Sequence, residues 1–370
     1  MKKRLVLGIM SGTSIDNVDY ALCEIGGNDI ALRNFWSASF PPTLRKTLHV
    51  AARGELPSHQ LAQAHHDLGR FYAAHAVPPR GRRPELAGLH GQTIFHNPSA
   101  KNPATFQLGE PAYLAVRLGV PVINNFRAMD MAVGGQGAPL ATMFHAFVFA
   151  RRGEHVCVNN LGGISNVTSL NWSTGARPRV MAFDTGPANV LLDLAMRFFT
   201  NEKLSMDKGG RWAARGKPNE DVLRRWLKHE YFLQAPPKST GRELFGEPFF
   251  QTAMRDMKGC ESADCLATLT EFTARSLALN YKLHLPGLPS CIVLAGGGAS
   301  NPSLVKAITR QFDAKKVRIQ TSEEWGWPAR AIEPAAFALL ADLRSRRKPG
   351  NLPETTGASN AVLLGQETCG

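Results

Sequence analysis

The chain has 370 residues, of which 44% are hydrophobic and 20% charged, and its formal net charge is +13. At ~150 residues per domain this length points to two domains, and the composition is that of a soluble globular enzyme. The longest apolar runs fall far short of the ~18 residues a membrane span needs, which excludes a spanning helix.

In chain order, the basic start Lys2-Lys3-Arg4 precedes an apolar run that ends within a few residues at Ser11-Gly12-Thr13-Ser14. It lacks the h-region and small-residue cleavage site of a signal peptide. It reads as a first strand over 4–10 in a cytoplasmic protein. Hydrophobic periodicity then predicts strands near 17–25 and 30–39 and helices near 43–52 and 57–76. The run from Pro78 to Pro84, rich in Pro, Gly and Arg, is a loop. Short apolar strands follow at 86–90 and 120–123, with helices over 110–118 and 139–151. Asn125 to Asp130 together with Gly134-Gly135-Gln136-Gly137-Ala138-Pro139 read as one long glycine-rich connection. Such density marks either a hinge or close backbone packing.

The pattern then restarts, with strands near 155–160, 164–170 and 179–183 and a helix over 188–199. Helices near 218–228 and 264–284, a strand at 290–295 and helices at 303–312 and 333–346 complete the chain. A strand, a glycine turn and a second strand open each half, which implies two related α/β domains. The borders are expected at 1–132 plus about 348–370 for the first domain and 133–347 for the second.

The basic residues are dispersed, and no nucleic-acid-binding signature accompanies them. A solvated surface on a phosphate-handling protein is the first reading and nucleic-acid binding the second. The six cysteines form no regular framework; Cys260 and Cys265 lack a second ligand pair for zinc and read as reduced structural thiols.

Three segments carry candidate chemistry. Gly12-Thr13-Ser14-Ile15-Asp16 lies in a tight turn after a buried strand. Its backbone N–H groups and hydroxyls could form an anion nest, with Asp16 holding Mg²⁺ directly or through water. The alternative is a hairpin turn with local capping. No P-loop motif occurs. Gly296-Gly297-Gly298 ends a strand, and Asn301-Pro302 then caps a helix, a junction suited to a nucleotide. Asn301 stands where a dinucleotide fingerprint requires its third glycine. Asp184, at a strand end before Gly186-Pro187, is either a general base or a helix cap. His90 either touches substrate or is structural. The Ser205-x-x-Lys208 match to penicillin-binding enzymes is fortuitous, because no companion Ser-Asp-Asn motif accompanies it.

Read together, the segments form a series. It runs Gly8 to Ser14, His90-Gly91-Gln92-Thr93, Gly134 to Leu140, Asn160-Leu161-Gly162-Gly163-Ile164-Ser165-Asn166, Phe183-Asp184-Thr185-Gly186-Pro187, Pro237-Lys238-Ser239-Thr240-Gly241-Arg242-Glu243 and Gly350 to Pro353. In this order, over nearly the whole chain, it resembles the anhydro-N-acetylmuramic acid kinase family. The resemblance implies two RNase H-like domains of the actin and acetate kinase type flanking an ATP-binding cleft, and a homodimer. It further implies that ATP, water and 1,6-anhydro-N-acetylmuramic acid give N-acetylmuramic acid 6-phosphate and ADP in peptidoglycan recycling. Asp184 would then activate water, and Gly12, Thr13, Ser14, Ile15, Asp16, Asn17, Val18 and Asp19 would match the phosphate loop. Gly162, Gly163 and Gly296 to Gly298 would join them on the nucleotide, with His90, Arg127 and Glu333 on the sugar. Nucleic acid and membrane are not expected partners.

The sequence departs from the family's pattern at four places. Asn17 and Ala188 replace glycines, Asn125 replaces the Asp of the common Asp-Phe-Arg, and Arg330 stands where an Asp is common. These departures leave room for a related amino sugar as substrate. An actin-fold ATP-binding switch is the reading from another class, and the presence of Asp184 argues against it.

Overall fold

A computed structural model describes residues 3–78, 82–98 and 101–370. Lys2 of the basic start and residues 79–81 of the expected loop lie outside the described residues. The strands are β1 Arg4–Ser11, β2 Asn17–Gly26, β3 Asp29–Ser39, β4 Leu86–Asn97, β5 Ala104–Leu108, β6 Val122–Asn124, β7 His155–Leu161, β8 Ile164–Asn171, β9 Arg179–Pro187, β10 Cys291–Ala295, β11 Arg318–Thr321 and β12 Gln366–Thr368. The helices are α1 Pro42–Ala52, α2 Ser58–His75, α3 Ala112–Leu118, α4 Phe126–Ala132, α5 Ala141–Phe149, α6 Asn189–Thr200, α7 Glu220–Trp226, α8 Arg242–Phe245, α9 Glu247–Asp256, α10 Ser262–His284, α11 Pro302–Thr309, α12 Ile332–Ser345 and α13 Pro353–Thr356.

The chain divides into two compact units, Met1–Val148 with Arg330–Gly370, and Phe149–Ala329. The first contains a sheet ordered β12-β6-β4-β1-β2-β3, with β5 added to β4. The second contains a sheet ordered β11-β10-β7-β8-β9. Both are built on one plan. Three antiparallel strands, β1-β2-β3 or β7-β8-β9, form a meander. Two further strands, β4 and β6 or β10 and β11, run parallel to the first strand on its other side. The restart in the sequence is thus a repeated five-strand topology.

Strand β1 is buried on both faces, which explains its unbroken apolar run. Alternation sends Leu5, Leu7 and Ile9 to one face, where they pack with Leu48, Leu68 and Tyr72 from α1 and α2. On the other face α12 packs against β1, β2 and β4. Gly8 and Gly88 make that approach feasible. A Cβ at Gly8 would stand 1.7 Å from the Pro334 carbonyl oxygen, and one at Gly88 2.3 Å from that of Phe337.

This packing moves the domain borders from the expected 132/133 and 347/348 to 148/149 and 329/330. Helix α12, expected in the second domain, belongs to the first. The segment after α4 is tied to the first unit as well, because the Gln136 N–H donates to the Thr356 carbonyl at 2.8 Å and the Ser359 N–H to that of Val133 at 2.9 Å. Within the long connection expected from Asn125 onward, Phe126–Ala132 is helical.

In the second unit, Cys157, Ile292 and Leu294 pack with Leu277 and Tyr281 of α10 and Leu304 of α11. A second cluster, rich in rings from Trp226, Phe232, Phe245 and Phe272, joins α6, α7 and α9 to α10. Asn301 caps α11 as expected, its side-chain oxygen accepting from the N–H groups of Ser303 and Leu304 at 3.1 and 3.2 Å.

The close approach of α12 gives a direct test. Gly88→Ala forces backbone away from backbone and is expected to destabilise the protein by about 2–3 kcal/mol in urea unfolding. An unchanged midpoint would contradict the packing described here.

Candidate active site

In the first unit, the turn between β1 and β2 closes on the Gly12 carbonyl. It accepts from the Ile15 N–H at 3.2 Å and from Gln92 Nε2 at 3.1 Å. Ile15 adopts a left-handed φ of 55°, a costly conformation for a β-branched side chain. Its side chain is 2% exposed, and this burial stabilises by an amount comparable with the ~1–2 kcal/mol of backbone strain. The result is a fixed turn with Thr13 and Ser14 at its exposed tip. Their hydroxyls make no hydrogen bond among the described residues, which leaves them available to an anion. Val18, by contrast, is fully buried and serves the core.

The loop's two carboxylates are separated. Asp16 is exposed and pairs with Arg45 of α1. Asp19 is drawn the other way and accepts from Ser37 Oγ at 2.6 Å, Arg330 Nη2 at 2.6 Å and Asn17 Nδ2 at 2.9 Å. Loss of hydration still raises the Asp19 pKa, against the pull of those donors.

His90 and Arg127 form a single assembly. The His90 Nδ1–H donates to the Gly91 carbonyl at 2.8 Å, so Nε2 is the acceptor for Arg127 Nε at 3.1 Å and Nη2 at 2.9 Å. Burial, and next the Arg127 charge, push the His90 pKa well below its usual value and keep the ring neutral. Arg127 Nη1 donates to the Gly137 carbonyl at 2.6 Å. Burial lowers even this guanidinium to about 10. Both nitrogens of His90 are used within the protein, so its part is to orient Arg127.

The glycine-rich loop that meets Arg127 is held by Asp130, which is fully buried. Its Oδ2 accepts from the Gly137 N–H at 2.8 Å, and its Oδ1 from Asn351 Nδ2 at 2.7 Å and Thr356 Oγ1 at 2.8 Å. Glu333 lies one residue into α12, with part of its surface reaching solvent. Loss of hydration nonetheless dominates its carboxyl and raises the pKa, with Arg127 opposing the rise and Asp19 adding to it.

In the second unit, Gly162 and Gly163 form the turn of the β7–β8 hairpin, and the start of α6 docks on it. The Ala188 and Val190 N–H groups donate to the Gly163 carbonyl at 3.0 and 3.1 Å, and the Asn189 N–H to that of Gly162 at 3.0 Å. Gly296, at φ 78°, leaves β10 directly against this hairpin. A Cβ there would lie 2.3 Å from Asn160 Oδ1, and one at Gly298 2.7 Å from the Leu161 Cβ. The two glycine turns read separately in the sequence are therefore packed together. They leave Gly163 and Gly297 exposed.

Asp184 lies within β9, which continues past the expected strand end to Pro187. Its Oδ2 accepts from the Thr240 N–H at 2.9 Å, and its own N–H donates to the Lys238 carbonyl at 3.1 Å. Tyr231 Oη donates to the Asp184 carbonyl at 2.8 Å. Its Oδ1 makes no hydrogen bond among the described residues. Burial raises the Asp184 pKa to about 6, the Thr240 N–H opposes the rise and Glu243 adds to it. Lys238 braces the segment, its Nζ donating to the Tyr231 and Phe232 carbonyls at 3.1 and 3.3 Å. Sequence reasoning gave Lys238, Tyr231 and Thr240 no individual role. The 237–243 motif was the available signal, but its distance from Asp184 in the chain concealed the contact.

A carboxylate raised toward neutrality and glycine-lined turns with exposed backbone are compatible with phosphotransferase-type chemistry. Comparison with known proteins makes the assignment specific. The family model for anhydro-N-acetylmuramic acid kinase matches residues 4–369. The anhydro-N-acetylmuramic acid kinase of Picosynechococcus sp. is 42% identical over 376 residues, covering 98% of this chain and 99% of the relative. That of Crocosphaera subtropica is 41% identical, covering 97% of both. The chain is a kinase. It belongs to the anhydro-N-acetylmuramic acid kinase family.

Asp130 offers a test of the site's scaffold. Asp130→Ala leaves three buried donors without their acceptor and should cost about 3 kcal/mol in urea unfolding. A loss below about 1 kcal/mol would contradict that organising role.

Proposed function

We propose that the chain converts 1,6-anhydro-N-acetylmuramic acid, ATP and water to N-acetylmuramic acid 6-phosphate and ADP in peptidoglycan recycling. Family membership across residues 4–369 supports the reaction. The environment of Asp184 is the observation that carries the mechanism: one oxygen is held by Thr240, the other is free for a ligand, and burial raises the pKa to about 6.

Ionised Asp184 takes a proton from water through Oδ1 while Oδ2 stays on the Thr240 N–H. The water oxygen bonds to the anomeric carbon, and the bond between that carbon and O6 breaks. O6 takes the γ-phosphoryl group as the bond from γ-phosphorus to the bridging oxygen breaks. The proton ends on Asp184, and ADP leaves. Gly12, Thr13 and Ser14 offer donors to the phosphates, with Ile15, Asn17, Val18 and Asp19 shaping that loop. Gly162, Gly163 and Gly296 to Gly298 admit the nucleotide, with Gly163 and Gly297 offering exposed backbone and Gly296 and Gly298 keeping the two turns packed together. Arg127 and Glu333 bind the sugar, with His90 acting through Arg127.

Bound Mg²⁺ would neutralise charge on the transferring phosphates. Asp16 is the carboxylate that would hold it, directly or through water, since this ion needs only one or two carboxylates beside phosphate and water. The common strand order of the two sheets supports an RNase H-like type for both units. A homodimer in the cytoplasm completes the proposal, carried by the family resemblance and by the use of ATP. Among the described residues, no helix is long and apolar enough to cross a membrane.

ADP release measured with and without the anhydro sugar tests this reading. Asp184→Asn should lose the sugar-dependent rate by on the order of 10³-fold while ATP affinity is kept. In the wild type, protonation removes the base, so the rate should fall about tenfold per pH unit below about 6. ATP binding without sugar-stimulated turnover would favour the switch protein instead.

A further inference from the structure

We propose that Arg330 is a specificity-determining residue that recognises the carboxylate on the lactyl ether of the sugar substrate. This rests on the kinase reading above and deepens it. Arg330 lies in the short 3-10 turn Ala329–Ala331 that leads directly into α12, three residues before Glu333. Its Nη2 donates to Asp19 Oδ1 at 2.6 Å and to Ser37 Oγ at 3.1 Å. Asn17 Nδ2 holds the same Asp19 oxygen at 2.9 Å. One edge of the guanidinium is thereby fixed. Its Nη1 and Nε–H groups donate to nothing among the described residues, and the side chain is 57% exposed.

Four charged side chains share this region of the first unit, the carboxylates Asp19 and Glu333 and the cations Arg127 and Arg330. Each nitrogen of Arg127 already donates once, Nε and Nη2 to His90 and Nη1 to Gly137, which leaves one N–H on each terminal nitrogen for the sugar. Arg330 keeps two whole nitrogens, Nε and Nη1, without an acceptor among the described residues, whereas every nitrogen of Arg127 already donates. An anionic substituent approaching Asp19 and Glu333 meets two like charges unless a cation intervenes. A guanidinium anchored at one edge presents its others with little further loss of freedom, and its planar fork matches a carboxylate. The sugar carries such a carboxylate. Asn17 and Arg330, two of the four positions at which the sequence departs from its family's pattern, meet at the single carboxylate of Asp19.

The test compares kcat/KM for 1,6-anhydro-N-acetylmuramic acid with that for 1,6-anhydro-N-acetylglucosamine, the same sugar without the lactyl group. In the wild type the acidic sugar should be favoured, and added salt should reduce the preference. Arg330→Gln should lower the preference by about tenfold or more, chiefly through KM for the acidic sugar. Arg330→Lys keeps the charge and should retain part of it. Equal losses on both sugars, an unchanged ratio in Arg330→Gln, or a wild type that does not discriminate would overturn the proposal. A rise confined to KM for ATP would overturn it too, by giving Arg330 to the phosphates. A wild type that turns over neither sugar would overturn the kinase reading itself, and this inference with it.

Discussion

Helix α12 can lie on β1 and β4 only because two positions carry no side chain. At Gly8 and Gly88 the helix backbone comes so near the sheet that even a methyl group would overlap a carbonyl oxygen. The approach fixes more than the core. Arg330 lies in the turn that leads into α12 and Glu333 in its first turn, and the helix position brings Arg330 onto Asp19 beside the candidate phosphate loop. Phe337, one turn further on, packs against His90 with ring centroids 4.5 Å apart, and so supports the residue that orients Arg127. Fold and site in the first unit therefore share one cause.

The second unit uses the same device at another scale. Hairpin Gly162-Gly163 and the Gly296–Gly298 turn touch where Asn160, Leu161 and Asn189 leave no room for a Cβ. Asp184 illustrates the complementary constraint. Burial alone would carry its carboxyl still higher, and the Thr240 N–H limits the rise, so the group stands at about 6. That value suits a base that must be ionised near neutrality yet retain proton affinity. The site depends on partial desolvation balanced by a single backbone donor.

Much of this was legible in the chain. Long apolar runs such as Leu5–Ile9 and Cys291–Ala295 announced their strands, because burial on both faces leaves few other compositions. Asn301-Pro302 announced the start of α11 because capping is local chemistry. What stayed hidden was non-local. β11 and β12 are short edge strands whose pairing comes from β10 and β6, not from their own alternation. Helix α4 was concealed by the glycines that follow it, and the unit boundary by the absence of any sequence mark for the packing of α12 on a distant sheet. In the site, Asp184 and the glycine turns were readable as residue types in a suitable context. Thr240 on Asp184 and Arg330 on Asp19 were not, since those contacts span 56 and 311 residues of chain.

The most direct measurement is a crystal structure with 1,6-anhydro-N-acetylmuramic acid and a non-hydrolysable ATP analogue bound. The account predicts an ordered water hydrogen-bonded to Asp184 Oδ1 and aligned with the anomeric carbon, with Oδ2 still on the Thr240 N–H. A sugar seated with its anomeric carbon away from Asp184, and no water between them, would contradict the assignment of that carboxylate as the base.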